Sequence, residues 1–328
     1  MYVLTDCIKQ LRERALNWET FRREYIGQRL FFALESLSKT VLGHPWSRKK
    51  SDMLSNIIEK TEPIIHEGEL IVGYNYFEGG IWDEVYFYKQ SDEEKIRLSE
   101  YLSKGKLSNT QIDFILNTLD DLDKYIPNTE FYIGQSCEYI KATDEKVICS
   151  YGTPDNHTII GYAKVLQKGF KGIAEEIKSR IDSLDISDPH AVKARLLLEC
   201  AYDVADKASK LGKRYKARAE EMLKTSTKSK YSEDLEKIIH VLNRVPEYPA
   251  ESFHEAIQSL WFAHIINTWE DGINANSLGR LDQILYPYYK KDIDEGKITR
   301  DEAFELLCNL WIKLYLDYDV QQVALGGV

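Results

Sequence analysis

The sequence lacks the short motifs by which many nucleotide-dependent and hydrolytic enzymes are recognised. Its 328 residues contain no GxGxxG or GxxxxGK[ST] phosphate-binding motif and no GxSxG nucleophile motif. No apolar run approaches the ~18 residues of a membrane span, and the charged N-terminus has no apolar core of signal-peptide length. The five cysteines are scattered and form no CxxC pair. This usage indicates reduced thiols and a cytoplasmic location.

Positive charge and histidine clusters are also scarce. Asp and Glu number 53 against 43 Lys and Arg, so the formal net charge is −10. This balance argues against nucleic acid or an anionic membrane as the main partner. His254-Glu255 could begin a zinc-protease motif, but Gln258 stands where the second histidine is required. The other histidines are isolated, so we expect no metal site.

Helical periodicity dominates what the sequence does contain. Hydrophobic residues make up 43% of the chain and charged residues 29%, which is ordinary for a globular protein. No repeat or flexible linker divides it. The pattern predicts helices over residues 1 to about 43, from Ser51 to Thr61, over 92–104 and 108–124, from His157 to about Leu184, and from Asp188 to about Lys224. We expect a loop over 224–234.

The stretch from Val245 to Lys313 has the strongest helical signal. Apolar residues from Phe253 to Ile265 recur at steps of three and four, which places one stripe on one helix face. Ser277 is predicted to cap the next helix. Thr299 and Glu302 have the spacing of a capping box ahead of a third helix.

Two short segments are predicted to be strands. Glu69 to Gly73 is apolar, β-branched and bounded by glycines. Asp319 to Val328 alternates before a glycine pair and is predicted to lead from a strand into a turn. Residues 74–90 are rich in aromatic residues and glycine, and two interpretations stay open: a loop packed on the body, or a lid or pocket wall.

Several sequence strings in the last third carry a family resemblance. They are PAESFHEAIQSLWF, SLGRLDQILYPYY, GKITRDEAFELLCNLWIK and the final ALGGV. Together they resemble the glycyl radical enzymes, in the pyruvate formate-lyase-like and glycerol or diol dehydratase-like branch. A looser likeness covers Ile65–Gly73 and His157–Ile173. The resemblance implies an α/β fold that is predominantly helical: a helical shell plus the first part of the family's α/β barrel.

The same resemblance implies a function that this chain does not complete. Residues 1–328 would form an incomplete N-terminal pyruvate formate-lyase-like domain, because the contexts of the family's radical glycine and thiyl cysteine are absent from the sequence. The whole enzyme would cleave a C–C, C–O or C–N bond of a small metabolite by anaerobic radical chemistry. We expect no cofactor bound to this chain. A separate S-adenosylmethionine iron–sulfur activase would install the glycyl radical.

The implied partners are a small-molecule substrate, that activase, and the missing C-terminal half or a complementing subunit. The resemblance also allows a homodimer. Two hypotheses compete with this one. The chain could be a non-catalytic paralogue that acts as a helical binding or scaffold subunit, or an unrelated helical protein. A covered strand at 319–328 would favour the scaffold, and an exposed edge would favour part of a larger enzyme.

His157 and Ser277 are the candidate substrate-binding residues. On the residues alone, His157 also fits a surface or capping histidine, and Ser277 also fits a helix cap. The resemblance implies that both face the substrate, where a neutral imidazole can donate and accept hydrogen bonds. Several family members carry a histidine before this serine segment, whereas this chain has Asn274-Ala275-Asn276. Arg280 and Asp282 are expected to bond neighbouring elements rather than each other.

Overall fold

The computed structural model describes residues 4–17, 23–41, 43–75, 91–125, 159–227, 229–271, 276–316 and 323–326. These ranges contain twelve helices and no strand beyond one isolated bridge. The helices are α1 (Asp6–Leu16), α2 (Gln28–Leu37), α3 (Trp46–Lys60), α4 (Asp92–Leu102), α5 (Asn109–Asp120), α6 (Leu122–Tyr125), α7 (Tyr162–Asp182), α8 (Pro189–Thr225), α9 (Ser229–Leu242), α10 (Phe253–Asp271), α11 (Leu281–Asp294) and α12 (Arg300–Leu316). None of them is long and apolar enough to cross a membrane.

Local capping signals predicted three helix starts correctly. Ser108 caps α5 by accepting from the Gln111 N–H. Asp188 caps α8, with a proline at the first helical position. The Thr299 hydroxyl accepts from the Glu302 N–H, and the Glu302 carboxylate accepts in return from the Thr299 N–H. Each bond satisfies a helix-end donor that has no partner within the helix.

Three predicted helix and loop boundaries need correction. Helix α3 begins at Trp46 rather than Ser51, directly after Pro45 as its N-cap. The loop predicted over 224–234 is wrong for most of its length, because α9 already begins at Ser229. In the described parts of the stretch predicted to be helical over 1–43, residues 4–17 contain α1, and residues 23–41 contain a turn that ends in Gly27, at a φ of 79°, followed by α2. The turn ends in a residue with the left-handed backbone conformation, which glycine adopts without steric cost.

Helix α10 forms the centre of the core. It packs against α3, α7, α9, α11 and α12. Its side chains are buried all round rather than on the single predicted stripe: Ile257, Leu260 and Phe262 are each 0% exposed, and Trp261 is 1% exposed. A helix without a polar face is stable only when other elements cover it on every side. The surrounding helices therefore fix the position of α10, and α10 in turn fixes the segments that form hydrogen bonds with its side chains.

The segment Glu69 to Gly73 is not a strand, so this prediction was wrong. Its peptide groups bond to side chains instead. The Leu70 N–H donates to Asn309 Oδ1 at 2.9 Å, and the Val72 N–H donates to Gln258 Oε1 at 2.8 Å. The Gln258 amide nitrogen in turn donates to the Val72 carbonyl at 2.9 Å. Apolar, β-branched composition predicted burial correctly, but the backbone partners come from two helices rather than from a neighbouring strand.

Further side chains complete this arrangement, which we call the 69–73 clamp. His254 Nε2 lies 2.6 Å from the Leu70 carbonyl oxygen. The Gly73 carbonyl accepts from Trp261 Nε1 at 2.9 Å and from Lys313 Nζ at 3.1 Å. Because buried peptide groups need hydrogen-bond partners, these donors make it possible to bury an extended segment between α10 and α12.

A buried ion pair anchors the start of the clamp. Lys313 Nζ lies 2.7 Å from a Glu69 carboxylate oxygen, and the two side chains are 1% and 0% exposed. The same ammonium stands 3.5 Å from the centroid of the Tyr74 ring, a cation–π contact. Burial lowers the pKa of Lys313. Charges removed from water are stable only when paired and hydrogen-bonded, as both are here.

Two predicted segments lie mostly outside the described residues. The aromatic segment 74–90 is described only at Tyr74 and Asn75, so neither of its two interpretations is tested. Of the strand predicted at 319–328, only 323–326 is described. There Val323 forms an isolated parallel bridge with Gly279.

Candidate functional site

Three separate segments meet just ahead of α11: residues 159–162, 276–282 and 323–326. Gly279 joins all three. It has a φ of 64°, and a Cβ added there would lie 3.0 Å from Ile159 Cγ2. Its carbonyl accepts from the Ala324 N–H at 2.8 Å. Glycine is needed at this position because other residues rarely adopt this backbone conformation and a side chain would press on Ile159.

Asp282 ties the last of these segments to α11. Its carboxylate accepts from the Gly326 N–H at 2.9 Å and lies 3.4 Å from Arg280 Nε. The Gly326 bond, with help from Arg280, lowers the pKa of Asp282. The expectation that Arg280 and Asp282 do not bond each other was wrong, because Arg280 precedes the helix as its N-cap residue. The expected bond to a neighbouring element is present, through Gly326.

Ser277 is not a helix cap. Helix α11 begins at Leu281 and its N-cap is Arg280, so Ser277 lies too early in the chain for this role. Its two neighbours are buried: Asn276 is 2% exposed and Leu278 is 0% exposed. Asn267 Nδ2 donates to Asn276 Oδ1 at 2.7 Å. The backbone around Ser277 is therefore held on both sides, while Ser277 itself is only partly buried.

His157 lies outside the described residues, so its predicted place beside the substrate is not tested. The description resumes at Ile159, and the helix that follows starts at Tyr162. Ile159 packs on Gly279, two residues after Ser277. The described end of the His157 segment therefore contacts the Ser277 segment directly. Both predicted substrate-binding roles remain predictions.

Helix α10 holds both segments in place. Tyr162 Oη and His264 Nδ1 are 2.9 Å apart, and both residues are buried. One turn later, Asn267 holds Asn276. The Trp261 ring stacks on His264 at 5.4 Å, and the Trp261 indole N–H also donates to Gly73 in the 69–73 clamp. A continuous set of contacts thus joins the clamp, α10 and the starts of α7 and α11.

Sequence reasoning missed these supporting residues. His264 and Asn267 stand in an otherwise apolar run, LWFAHIIN. A polar residue on a helix that is buried all round must find a partner. That signal was present in the sequence, although it could not have named Tyr162 or Asn276 as the partners.

The described residues show no metal centre and no activated thiol. They contain no group of three or more His, Cys, Asp or Glu residues placed to hold a metal ion. His254, the histidine that could have begun a zinc-protease motif, bonds instead to the Leu70 carbonyl, and burial lowers its pKa to about 4. Burial raises the pKa values of Cys7, Cys200 and Cys308. These thiols are therefore protonated at neutral pH and are poor nucleophiles.

Comparison with known proteins identifies the family. A family profile described as pyruvate formate lyase-like matches residues 8–324. The chain belongs to this family. The predicted fold class is confirmed: the described residues are predominantly helical, and the solved neighbours are glycyl radical enzymes whose barrel this chain matches in part.

Individual relatives are lyases and dehydratases. An isethionate sulfite-lyase of Nitratidesulfovibrio vulgaris is 36% identical over 168 residues, which is 51% of this chain and 20% of the relative. A trans-4-hydroxy-L-proline dehydratase of Clostridioides difficile is 38% identical over 159 residues, which is 48% of this chain and 20% of the relative. The match thus covers only about 20% of the length of each of these relatives.

A solved structure supports the same relation across nearly the whole chain. The structure describing 1,2-propanediol dehydration in Roseburia inulinivorans superposes with a TM-score of 0.76 at 27% identity. The superposition covers 96% of this chain and 40% of that protein. The larger part of the solved enzyme therefore has no counterpart in these 328 residues.

Proposed function

We propose that this chain is the N-terminal part of a glycyl radical enzyme that removes a leaving group from a small hydroxylated metabolite by breaking a C–O, C–C or C–N bond. The family match over residues 8–324 carries the proposal. Two of the similar proteins are named for hydroxylated compounds, trans-4-hydroxy-L-proline and 1,2-propanediol, and for their dehydration. Cleavage of a C–O bond is therefore the first reaction to test.

Ser277 and His157 are the substrate contacts in this proposal. A serine hydroxyl donates one hydrogen bond and accepts others, so it can orient a substrate hydroxyl or carbonyl. The buried neighbours Asn276 and Leu278 restrict the movement of the Ser277 backbone. Pre-ordering of this kind lowers the entropic cost of holding a substrate in a reactive position.

The radical glycine and the thiyl cysteine would be supplied from outside this chain. Radical intermediates need a cavity from which water is excluded, and this chain would form one wall of it. Ile159 and Leu325 are each 63% exposed at the end where the three segments meet. A complementary polypeptide part would cover such apolar side chains. The other proposed partner is a radical S-adenosylmethionine activase, and the proposed location is the cytoplasm.

Anaerobic reconstitution tests the proposal. This chain is combined with a polypeptide that carries the remaining part of the enzyme and with a radical S-adenosylmethionine activase. We expect the electron paramagnetic resonance signal of a glycyl radical and loss of a supplied diol or hydroxylated amino acid. Ser277→Ala should lower kcat/KM about 10- to 100-fold, as the loss of one substrate hydrogen bond predicts. Ser187→Ala, in an exposed turn, serves as the matched control.

The alternative function is a non-catalytic helical binding or scaffold subunit. It predicts a stable complex with no glycyl radical and no turnover when all partners are present. That result would replace the enzymatic proposal. A radical signal with normal turnover in Ser277→Ala would keep the enzyme and remove only the role of Ser277.

A further inference from the structure

A polar cleft with a volume of about 430 Å³ lies at the junction of α8 and α9. We call it the α8–α9 cleft. None of the residues that line it belongs to the three segments at the candidate functional site, so the proposed chemistry does not use it. The side chains that give the cleft its chemical character are those of Glu67, Arg218, Glu221, Met222, Thr227 and Tyr231.

Arg218 is the one cation among the described residues that line this cleft, and its hydrogen-bonding capacity is only partly used. Its Nη1 donates to a Glu221 carboxylate oxygen at 2.7 Å, whereas its Nε is buried and has no hydrogen-bond partner among the described residues. A guanidinium carries five N–H donors in a planar fork, and buried donors are normally satisfied. Because carboxylates bind such a fork through two parallel hydrogen bonds, Arg218 can hold a ligand carboxylate in addition to Glu221.

Two hydroxyl groups add further donors to the cleft. The Tyr231 hydroxyl forms no hydrogen bond with any described residue. Burial raises the pKa of Tyr231, so the hydroxyl keeps its proton and can donate. Thr227 is exposed in the connection between the two helices. The start of α9 also carries the partial positive charge of a helix N-terminus. These groups and Arg218 together suit an oxyanion.

An anion alone would nevertheless match the cleft poorly, because its lining residues include two carboxylates and one guanidinium. The carboxylates are those of Glu67 and Glu221. The C-terminus of α8 adds partial negative charge at the same junction. A ligand that carries a carboxylate and an ammonium group at once is complementary to both sets of charges. The side chain of Met222 and the ring of Tyr231 offer apolar contact to the rest of such a ligand.

We propose that the α8–α9 cleft binds a free α-amino acid with an apolar side chain, its carboxylate on Arg218 and Tyr231 and its ammonium group on Glu67. The inference goes beyond the proposed function and does not depend on it. Glu67 stands two residues before the first residue of the 69–73 clamp, and its carbonyl accepts from Arg14 Nη1 at 2.8 Å. A bound amino acid would thus join α8 and α9 to the segment that enters the clamp.

Isothermal titration calorimetry of the purified chain with L-leucine tests the proposal. Two analogues of the same shape each lack one charge: 4-methylpentanoate has no amino group, and 3-methylbutylamine has no carboxylate. We expect saturable binding of L-leucine at one site, and at least about tenfold weaker binding of each analogue, because each loses a charge-assisted hydrogen bond. Absence of saturable binding at about 10 mM L-leucine overturns the proposal, and so does an analogue that binds as tightly as L-leucine.

Two substitutions assign each end of the ligand to its residue. In Glu67→Gln the preference for L-leucine over 4-methylpentanoate should disappear, and in Arg218→Gln the preference for L-leucine over 3-methylbutylamine should disappear. Arg195→Gln on the same helix is the matched control, because Arg195 pairs with Glu199 and does not line the cleft. If circular dichroism shows that Arg218→Gln fails to fold, Tyr231→Phe takes its place and should weaken L-leucine binding several-fold. Binding of L-leucine that these substitutions leave unchanged takes place elsewhere and overturns the assignment.

Discussion

Among single residues, His254 has a charge state that bears directly on the stability of the fold. Its Nε2 lies 2.6 Å from the Leu70 carbonyl oxygen in the 69–73 clamp. Burial lowers its pKa to about 4, against about 6.5 for an unfolded histidine. The neutral ring is therefore part of the folded structure, and the unfolded chain binds the proton more readily.

This difference predicts loss of stability in acid. Because the folded pKa is the lower one, the stabilisation is complete above pH 6.5 and is lost as the pH falls toward 4. Between pH 7 and pH 5 the histidine accounts for about 2 kcal/mol of the fall in unfolding free energy. His254→Gln keeps a donor for Leu70 but cannot titrate. Urea unfolding of both proteins at pH 7 and pH 5 measures the fall in unfolding free energy. This fall should be smaller by about 2 kcal/mol in the variant.

The titration of other groups is common to both proteins and cancels in the comparison. Burial also lowers the pKa of His66, so the variant retains some sensitivity to acid. An identical fall in unfolding free energy in the two proteins would mean that His254 is protonated as easily in the folded state as in the unfolded state.

Among the helices, α7 contains the sharpest local departure from regular geometry. Gly169 has a φ of 65° and a ψ of 165° in the middle of the helix. The chain of residues 246–248 lies against this bend: the Phe170 N–H donates to the Pro246 carbonyl and the Lys171 N–H to the Glu247 carbonyl. These two bonds replace helical ones that the bend removes. A Cβ at position 169 would lie 2.3 Å from the Glu247 carbonyl oxygen.

Gly169→Ala should therefore destabilise the protein by about 3 kcal/mol or more, because it combines a backbone region reserved for glycine with a clash against main-chain atoms. Gly172→Ala in the same helix is the control. Its Cβ would meet only the Lys168 side chain, at 3.3 Å, and alanine favours helix over glycine by up to about 1 kcal/mol. Thermal and urea unfolding should separate the two variants in opposite directions. Equal effects would show that the bend tolerates a side chain.

The helices also show how far sequence reasoning reaches. Starts at Ser108, Pro189 and Thr299–Glu302 were predictable, because a cap depends on residues within one turn of itself. The clamped conformation of 69–73 was not predictable, because its partners Gln258 and Asn309 follow about 190 and 240 residues later. The cap at Ser277 failed for a related reason: Arg280 is held by its contact with Asp282, and Asp282 is tied to Gly326. Composition predicts that a segment is buried, but it does not predict which distant side chain forms a hydrogen bond with each buried peptide group.

Across the whole molecule, the 69–73 clamp links parts of the chain that are far apart in sequence. It is bonded to α10 through Gln258 and Trp261, and to α12 through Asn309 and Lys313. Helices α10 and α12 must therefore separate before these peptide groups reach water. Opening of this kind is close to global unfolding rather than a local fluctuation.

Native-state hydrogen exchange measures this directly. The Leu70 and Val72 amides should exchange almost as slowly as those of α10, although they belong to no helix or strand. In Gln258→Met, the Val72 amide loses its acceptor and should exchange faster, while Leu70, still bonded to Asn309, should remain the slower of the two. Fast exchange of both amides in the unaltered protein would contradict the clamp.

The clamp also makes residues 69–73 comparable to a peptide ligand that happens to be part of its own receptor. Recognition runs through amide and carbonyl groups, which every amino acid except proline presents alike. The residues that bind the segment must therefore keep their hydrogen-bonding groups, whereas the side chains at positions 70 and 72 need only fill apolar space. Substitution of Leu70 or Val72 by another aliphatic residue should thus destabilise the protein far less than substitution of Gln258 or Asn309. Mutations are therefore tolerated in the bound segment and not in the residues that bind it.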